Sequence, residues 1–305
     1  MEKVENNVIG NNVKSCGLRC FVYLVYLKVI WFLRRHLGIK AWGLGFVASK
    51  IGCEFDFQFR GVPFRFMPYA ARSYCLLPAG IANEPETHLF LGRVLASRSD
   101  VVFVDVGASI GEFAVTMAHD SRVSKVMAFE PHPESNMALH VSAKKAPAGK
   151  LEIIRKGVAS TAGTAAFELS TRAPMAAGLR SLVGAGDGCA AIELCTLDDT
   201  VDFETDRPVI VLIDIEGGEL DALRGGLAFI RRSQPLIIFE YNEVTRKYFQ
   251  LNEAASLLGD EYQIFRVRSE DGLLDSDFSN TWNVVALPKS GPWRNWQQAR
   301  ELFYP

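Results

Sequence analysis

Carboxylates close several apolar runs of this 305-residue chain. Asp105 stands in VVFVDV (101–106), Glu130 ends KVMAFE (125–130), and Asp214 and Glu216 end PVIVLIDIE (208–216). Glu240 lies in PLIIFEYNE (235–243), with Asn242 and Glu243 beside it. Such side chains hold an ammonium group, accept from a hydroxyl, take a proton from a nucleophile, or bind a hard cation. A single acid at a strand end is commonly a turn-former or helix cap. Repetition after three strands of one sheet points instead to one crevice, because ligands of open α/β sheets bind outside the carboxyl ends of the strands.

Between the first acid and the next helix lies Gly107-Ala108-Ser109-Ile110-Gly111. A dinucleotide site asks for G-x-G-x-x-G, so that backbone approaches a pyrophosphate at a helix N-terminus. The middle glycine is absent, and Asp105, two residues before the first glycine, would crowd phosphate charge. An acid there suits a ligand with an ammonium group and no phosphate, as S-adenosylmethionine is. Glu130, 23 residues after Gly107, is placed for ribose hydroxyls and is neutral between the two cofactors.

The elements that must position these residues alternate. Strands are predicted at 101–106, 125–130, 151–159, 208–216 and 235–243, and helices at 112–120, 133–146, 218–232 and 244–259. This alternation predicts a doubly wound parallel sheet. Segments 163–170 and 190–197 read as further strands flanking a Gly/Ala-rich loop, 171–189, whose Arg172 and Arg180 could meet an anionic acceptor. YQIFRVRS (262–269) and TWNVVALP (281–288) read as an antiparallel pair, and 292–305 as a terminal helix.

Composition sets the frame. About half the residues are apolar and 22% charged, which fits one large α/β domain with appendages. A net charge of −2 gives no general reason to expect nucleic acid. Six cysteines without a C-x-x-C pair read as reduced thiols of a cytoplasmic protein, with no disulfide frame or zinc site. Residues 14–50 differ: they hold seven Lys/Arg and no acid around CFVYLVYLKVIWFLRRHLG (20–38). Cys20 to Leu33 is fourteen residues, short of the about 20 that span a bilayer. Two readings stand: an interfacial helix meeting anionic headgroups, peripheral at the membrane, or a helix packed on the protein's own core or a second subunit.

Taken in order, FVDVGASIGEFA (103–114), AFEPHPES (128–135), TLDDTV (196–201), LIDIEGGELDALRG (212–225) and PLIIFEYNE resemble the FkbM-type methyltransferases, a branch of the class I S-adenosylmethionine-dependent enzymes. NEPETHLFLGRVL (83–95) resembles the segment before that family's glycine loop, and the likeness covers about 75–287. It implies a Rossmann-like doubly wound seven-stranded, mostly parallel sheet with an antiparallel edge. A basic, apolar helical extension (1–75) would precede the methyltransferase domain (76–290), and a helical tail (291–305) would follow. It also implies that Asp105, Gly107, Ala108, Ser109 and Gly111 surround the methionine part, that Glu130 holds the ribose, and that Ser160 lies near the adenine. Asp214, Glu216 and Glu219 match the family signature. Ser109 stands where Asn is common, and Leu212 where Lys is common.

The activity implied is O-methylation of a hydroxyl on a sugar, glycolipid or small metabolite. The catalytic candidates are Asp214, Glu216, Glu240 and His132. In one version a carboxylate takes the hydroxyl proton directly; in another, Asp214, Glu240 and Asn242 hold Mg²⁺. A loop histidine between two prolines, as His132 is, is more often simply exposed, and His88 reads as a residue over the pocket. A nicotinamide-dependent oxidoreductase and an inactive cofactor-binding module are the alternatives.

Overall fold

In a computed structural model of the chain, residues 18–37, 47, 50, 52, 54–67, 77–168, 179–180, 189–202, 207–279, 281–296 and 299–304 are described. Arg172 and most of the Gly/Ala-rich loop lie outside them; Arg180 falls in a short strand.

The helices are α1 (Leu18–Leu37), α2 (Pro85–Ala96), α3 (Glu112–His119), α4 (Pro133–Ala143), α5 (Leu197–Thr200), α6 (Glu219–Arg224), α7 (Leu227–Ser233), α8 (Leu251–Leu258) and α9 (Arg300–Phe303). The strands are β1 (Phe55–Phe59), β2 (Val62–Phe66), β3 (Val101–Val106), β4 (Val123–Phe129), β5 (Leu151–Ile154), β6 (Gly157–Val158), β7 (Gly163–Glu168), β8 (Leu179–Arg180), β9 (Cys189–Cys195), β10 (Val209–Ile213), β11 (Leu236–Glu240), β12 (Tyr262–Val267), β13 (Leu274–Asp275) and β14 (Asn283–Pro288).

The central sheet runs β13-β12-β14-β11-β10-β3-β4-β5. It is the expected doubly wound sheet of seven strands with a two-residue strand, β13, added at its edge. β11, β10, β3, β4 and β5 are parallel neighbours, and β14, β12 and β13 form the antiparallel edge. Every residue of β3 and β10 is buried, as strands covered on both faces must be. Val101 and Phe103 join one core cluster and Val102, Val104 and Val106 the other, so the period-2 alternation of β3 feeds two separate cores. The strand order reverses between β3 and β10, the place where ligands of open α/β sheets bind.

Three predicted elements divide. The strand expected over 151–159 breaks at Arg155–Lys156: β5 stays in the central sheet, whereas β6 enters a second sheet, β6-β9-β7-β8. The helix expected over 218–232 becomes α6 and α7, split at Gly225–Gly226, where a Cβ on Gly225 would come 2.0 Å from the Ala159 carbonyl oxygen. Among its described residues the tail holds the short α9 and a turn around buried Trp293, whose Nε1 donates to the Val209 carbonyl at 3.1 Å.

The extension over 1–75 is not solely helical. FDFQF and VPFRF form the hairpin β1–β2, closed at Arg60–Gly61, both at positive φ as a tight hairpin turn requires. Its alternating phenylalanines point inward and meet α1, with the Phe55 and Phe66 rings stacked at 4.8 Å and Tyr23 5.3 Å from Phe66. These residues belong to the same core cluster as Phe90 and Phe103, so the boundary near residue 75 does not separate two cores. α1 buries Cys20, Tyr23, Leu24 and Leu27, and its opposite face leaves Leu18, Phe21, Val22, Val25 and Val29 exposed. Among the described residues no helix is long and apolar enough to cross a membrane.

Candidate active site

The glycine turn is fixed by its neighbours. Gly107 and Gly111 sit at φ +91° and +94°, in the left-handed region that glycine enters freely. A Cβ on Gly107 would lie 1.9 Å from the Asp214 carbonyl oxygen, and the Asp214 amide donates to the Val106 carbonyl at 2.9 Å. Close approach of β3 and β10 at their ends therefore demands glycine at 107. Ser109 also sits at positive φ (+48°), which Asn tolerates better than Ser. Ser109→Asn is expected to raise stability by about 0.5–1 kcal/mol, read as a melting-temperature gain of about 1–2 °C.

Glu130 joins two loops: its Oε2 accepts from the Ser109 amide at 2.7 Å and its Oε1 from the His132 amide at 2.6 Å. Each oxygen keeps acceptor capacity for a ligand hydroxyl. His132 is buried, not exposed, and caps α4, with Nδ1 accepting from the Glu134 amide at 3.3 Å. Burial holds its imidazole below the ordinary value, and Nδ1 meets the first amides of α4 as a helix cap does. Ser160 stands apart: it is exposed beyond β6, beside Gly225.

The catalytic candidates converge. Asp214, Glu216 and Glu240 each place a carboxylate oxygen within 4.8 Å of the other two. Glu216 reaches the cluster from a backbone at φ +56°, followed by Gly217 at +114°. Neither Asp214 nor Glu216 caps the following helix. Glu219, fully buried, satisfies that turn instead, accepting from the Ile215 amide at 3.1 Å and the Gly217 amide at 3.0 Å. Asn242 orients Glu240 by donating its side-chain amide to Glu240 Oε1. Asn242 Oδ1 is occupied by the Val244 and Thr245 amides at 2.7 and 3.1 Å, so Asn242 is not a cation ligand, contrary to expectation. Glu243 is exposed.

Glu84 is a site residue that strand-end reasoning missed. It is buried at the residue before α2, accepts from Thr87 Oγ1 at 2.9 Å and from Asn283, and hydrogen-bonds Asp214. Beside it, His88 Nε2 donates to Glu112 Oε1 at 2.9 Å, with the His88 ring stacked on Phe113 at 4.4 Å. The only signal was the likeness of 83–95 to the family segment.

Electrostatically the crevice is one-sided. Burial pushes Asp105 up to about 8; the Ala114 amide opposes this, and the charges of Asp214, Glu130 and Glu112 add to it. Burial raises Glu130 to about 7 against the His132 and Ser109 amides, and Asp214 to about 6 against a hydrogen bond from Glu84. Glu216 rises to about 7 and Glu240 to about 10, through burial first and then the charge of Asp214. Among the described residues, the charges that act on these five groups are those of carboxylates.

The Methyltransferase FkbM domain matches residues 105–270. The chain is 34% identical over 130 residues to the hexuronic acid methyltransferase AglP of Haloferax volcanii, covering 42% of this chain and 51% of that protein. It thus spans about half the length of that relative. Among solved structures, an FkbM methyltransferase from Methylobacillus flagellatus is similar at TM-score 0.45 and 19% identity, over 72% of this chain and 53% of that one. A TehB-like S-adenosylmethionine-dependent methyltransferase from Corynebacterium glutamicum is similar at TM-score 0.41 and 14% identity, over 72% and 94%. The family match takes in the glycine turn, Glu130, the Asp214–Glu219 turn and Glu240: this chain belongs to the FkbM methyltransferase family.

Proposed function

We propose that the crevice binds S-adenosylmethionine and that its methyl group passes to a hydroxyl oxygen of a sugar acid or related glycan. The observation that carries this reading is the uniformly acidic lining, from Asp105 and Glu130 to Asp214, Glu216 and Glu240. A cationic donor fits that field, whereas the pyrophosphate of a nicotinamide cofactor is repelled by it. The sugar-acid acceptor is supported by the relative's activity and belongs to the proposal alone.

In this reading Asp105 faces the ammonium group, the turn of Gly107, Ala108, Ser109 and Gly111 surrounds the methionine part, and Glu130 accepts from the ribose. Ser160 is the expected approach to the adenine. When bound, S-adenosylmethionine supplies a methyl already activated by its positive sulfur. The chain's contribution is alignment and a proton acceptor. Asp214, which lies between the carboxyls of Glu84 and Glu240, takes the hydroxyl proton. The test is transfer of labelled methyl to hexuronic acid glycosides. Label on oxygen supports the reading, and none on any glycan tried contradicts it.

The outward face of α1 supports a lipid-linked acceptor. Exposed Arg19 and Lys28 lie among its exposed apolar residues, and 14–50 contain no acid, which suits an anionic lipid surface. The protein is expected to float with anionic vesicles and to be released by high salt. Failure to float with them contradicts this placement.

A further inference from the structure

The cluster at the ends of β10 and β11 has a second use. Two ligands of one ion lie at most twice the metal–oxygen distance apart, about 4.2 Å for Mg²⁺ and about 4.6–5.2 Å for Ca²⁺. The oxygens of Asp214, Glu216 and Glu240, mutually within 4.8 Å, fall within or close to the span of one coordination sphere.

Glu240 supplies an independent observation. The residue is 5% exposed, Asn242 takes its Oε1, and its Oε2 is buried with no hydrogen-bond partner. A buried carboxylate oxygen left without a donor is costly unless a ligand meets it. The donor set is oxygen alone, without imidazole or thiolate, which selects hard cations. Glu84 adds a further carboxyl beside Asp214.

We propose that Asp214, Glu216 and Glu240 bind one hard divalent cation next to the donor pocket. Three protein ligands leave coordination positions for water and for acceptor oxygens. The site stands on its own geometry; its use in catalysis rests on the methyl-transfer reading. There it answers a charge problem, because an anionic sugar acid would be repelled by these three carboxylates unless a cation lay between.

Mn²⁺ titration followed by electron paramagnetic resonance tests the site without any turnover. Wild-type protein is expected to bind one Mn²⁺ per chain with Kd below about 1 mM. Glu240→Gln and Glu216→Gln, each checked for folding by thermal melting, are expected to weaken binding at least about tenfold. Absence of saturable binding up to roughly ten times that Kd, or binding unchanged in both variants, overturns the proposal. S-adenosylmethionine titrated into the same samples keeps the two readings apart. Mn²⁺ binding without it leaves the cation site and removes the donor, and the reverse result removes the cation.

Discussion

Asp214→Asn is expected to lower kcat by about 10²–10⁴-fold while changing S-adenosylmethionine affinity by less than about threefold. The size follows from losing a positioned proton acceptor, and the selectivity follows from the geometry. Asp214 holds the glycine turn through its backbone, by the amide bond to Val106 and the packing of its carbonyl against Gly107, and Asn leaves both intact. Its side chain faces Glu84 and Glu240 instead. Single-turnover kinetics with saturating donor would isolate the transfer step. An unchanged rate would remove Asp214 from the chemistry, and lost donor binding would give it a different role.

Asp105→Asn is expected to weaken S-adenosylmethionine binding by about 100-fold or more, because it deletes a buried carboxylate facing a cation. The same change is expected to stabilise the protein above neutral pH. In the unfolded chain Asp105 ionises at the ordinary value of 3.8; in the folded chain it resists ionisation up to about 8, mainly through burial. Wild type therefore loses stability as pH rises through that window, and the loss levels off above it. The variant escapes this. The two should melt together near pH 4 and diverge by at least about 3 °C at pH 8, the variant being higher. A variant that melts lower at pH 8 would show that Asp105 is held by an internal partner. Leu212 bears on this point: it is the cross-strand neighbour of Asp105 and buried, so it offers Asp105 no ammonium.

The central sheet and the acids at its strand ends were legible because the signals are local. Continuous apolar runs mark strands covered on both faces, and Gly107 and Gly111 mark a turn that only positive φ can make. The alternating phenylalanines of β1 and β2 around Arg60–Gly61 spell a hairpin, a period-2 signal that the apolar helix before them does not share. Paired glycines at 225–226 split a helix whose apolar period runs straight through them.

Other features carry no local signal. Glu84 and Glu112 reach the crevice only because α2 and α3 pack against the sheet, which no spacing in the sequence encodes. The exchange of roles between Asn242 and Glu216 depends on one residue at φ +56°. The turn amides of Ile215 and Gly217 are met by Glu219, because the chain folds back on that buried side chain.

Isothermal titration of the purified chain with S-adenosylmethionine, its demethylated product and NADH, alongside Asp105→Asn, tests the central claim most directly. Saturable one-to-one binding of the first two, lost in the variant, is the result expected. Binding of NADH alone, or no binding of the methyl donor, would contradict it, and the reading of the acidic crevice would fall with it.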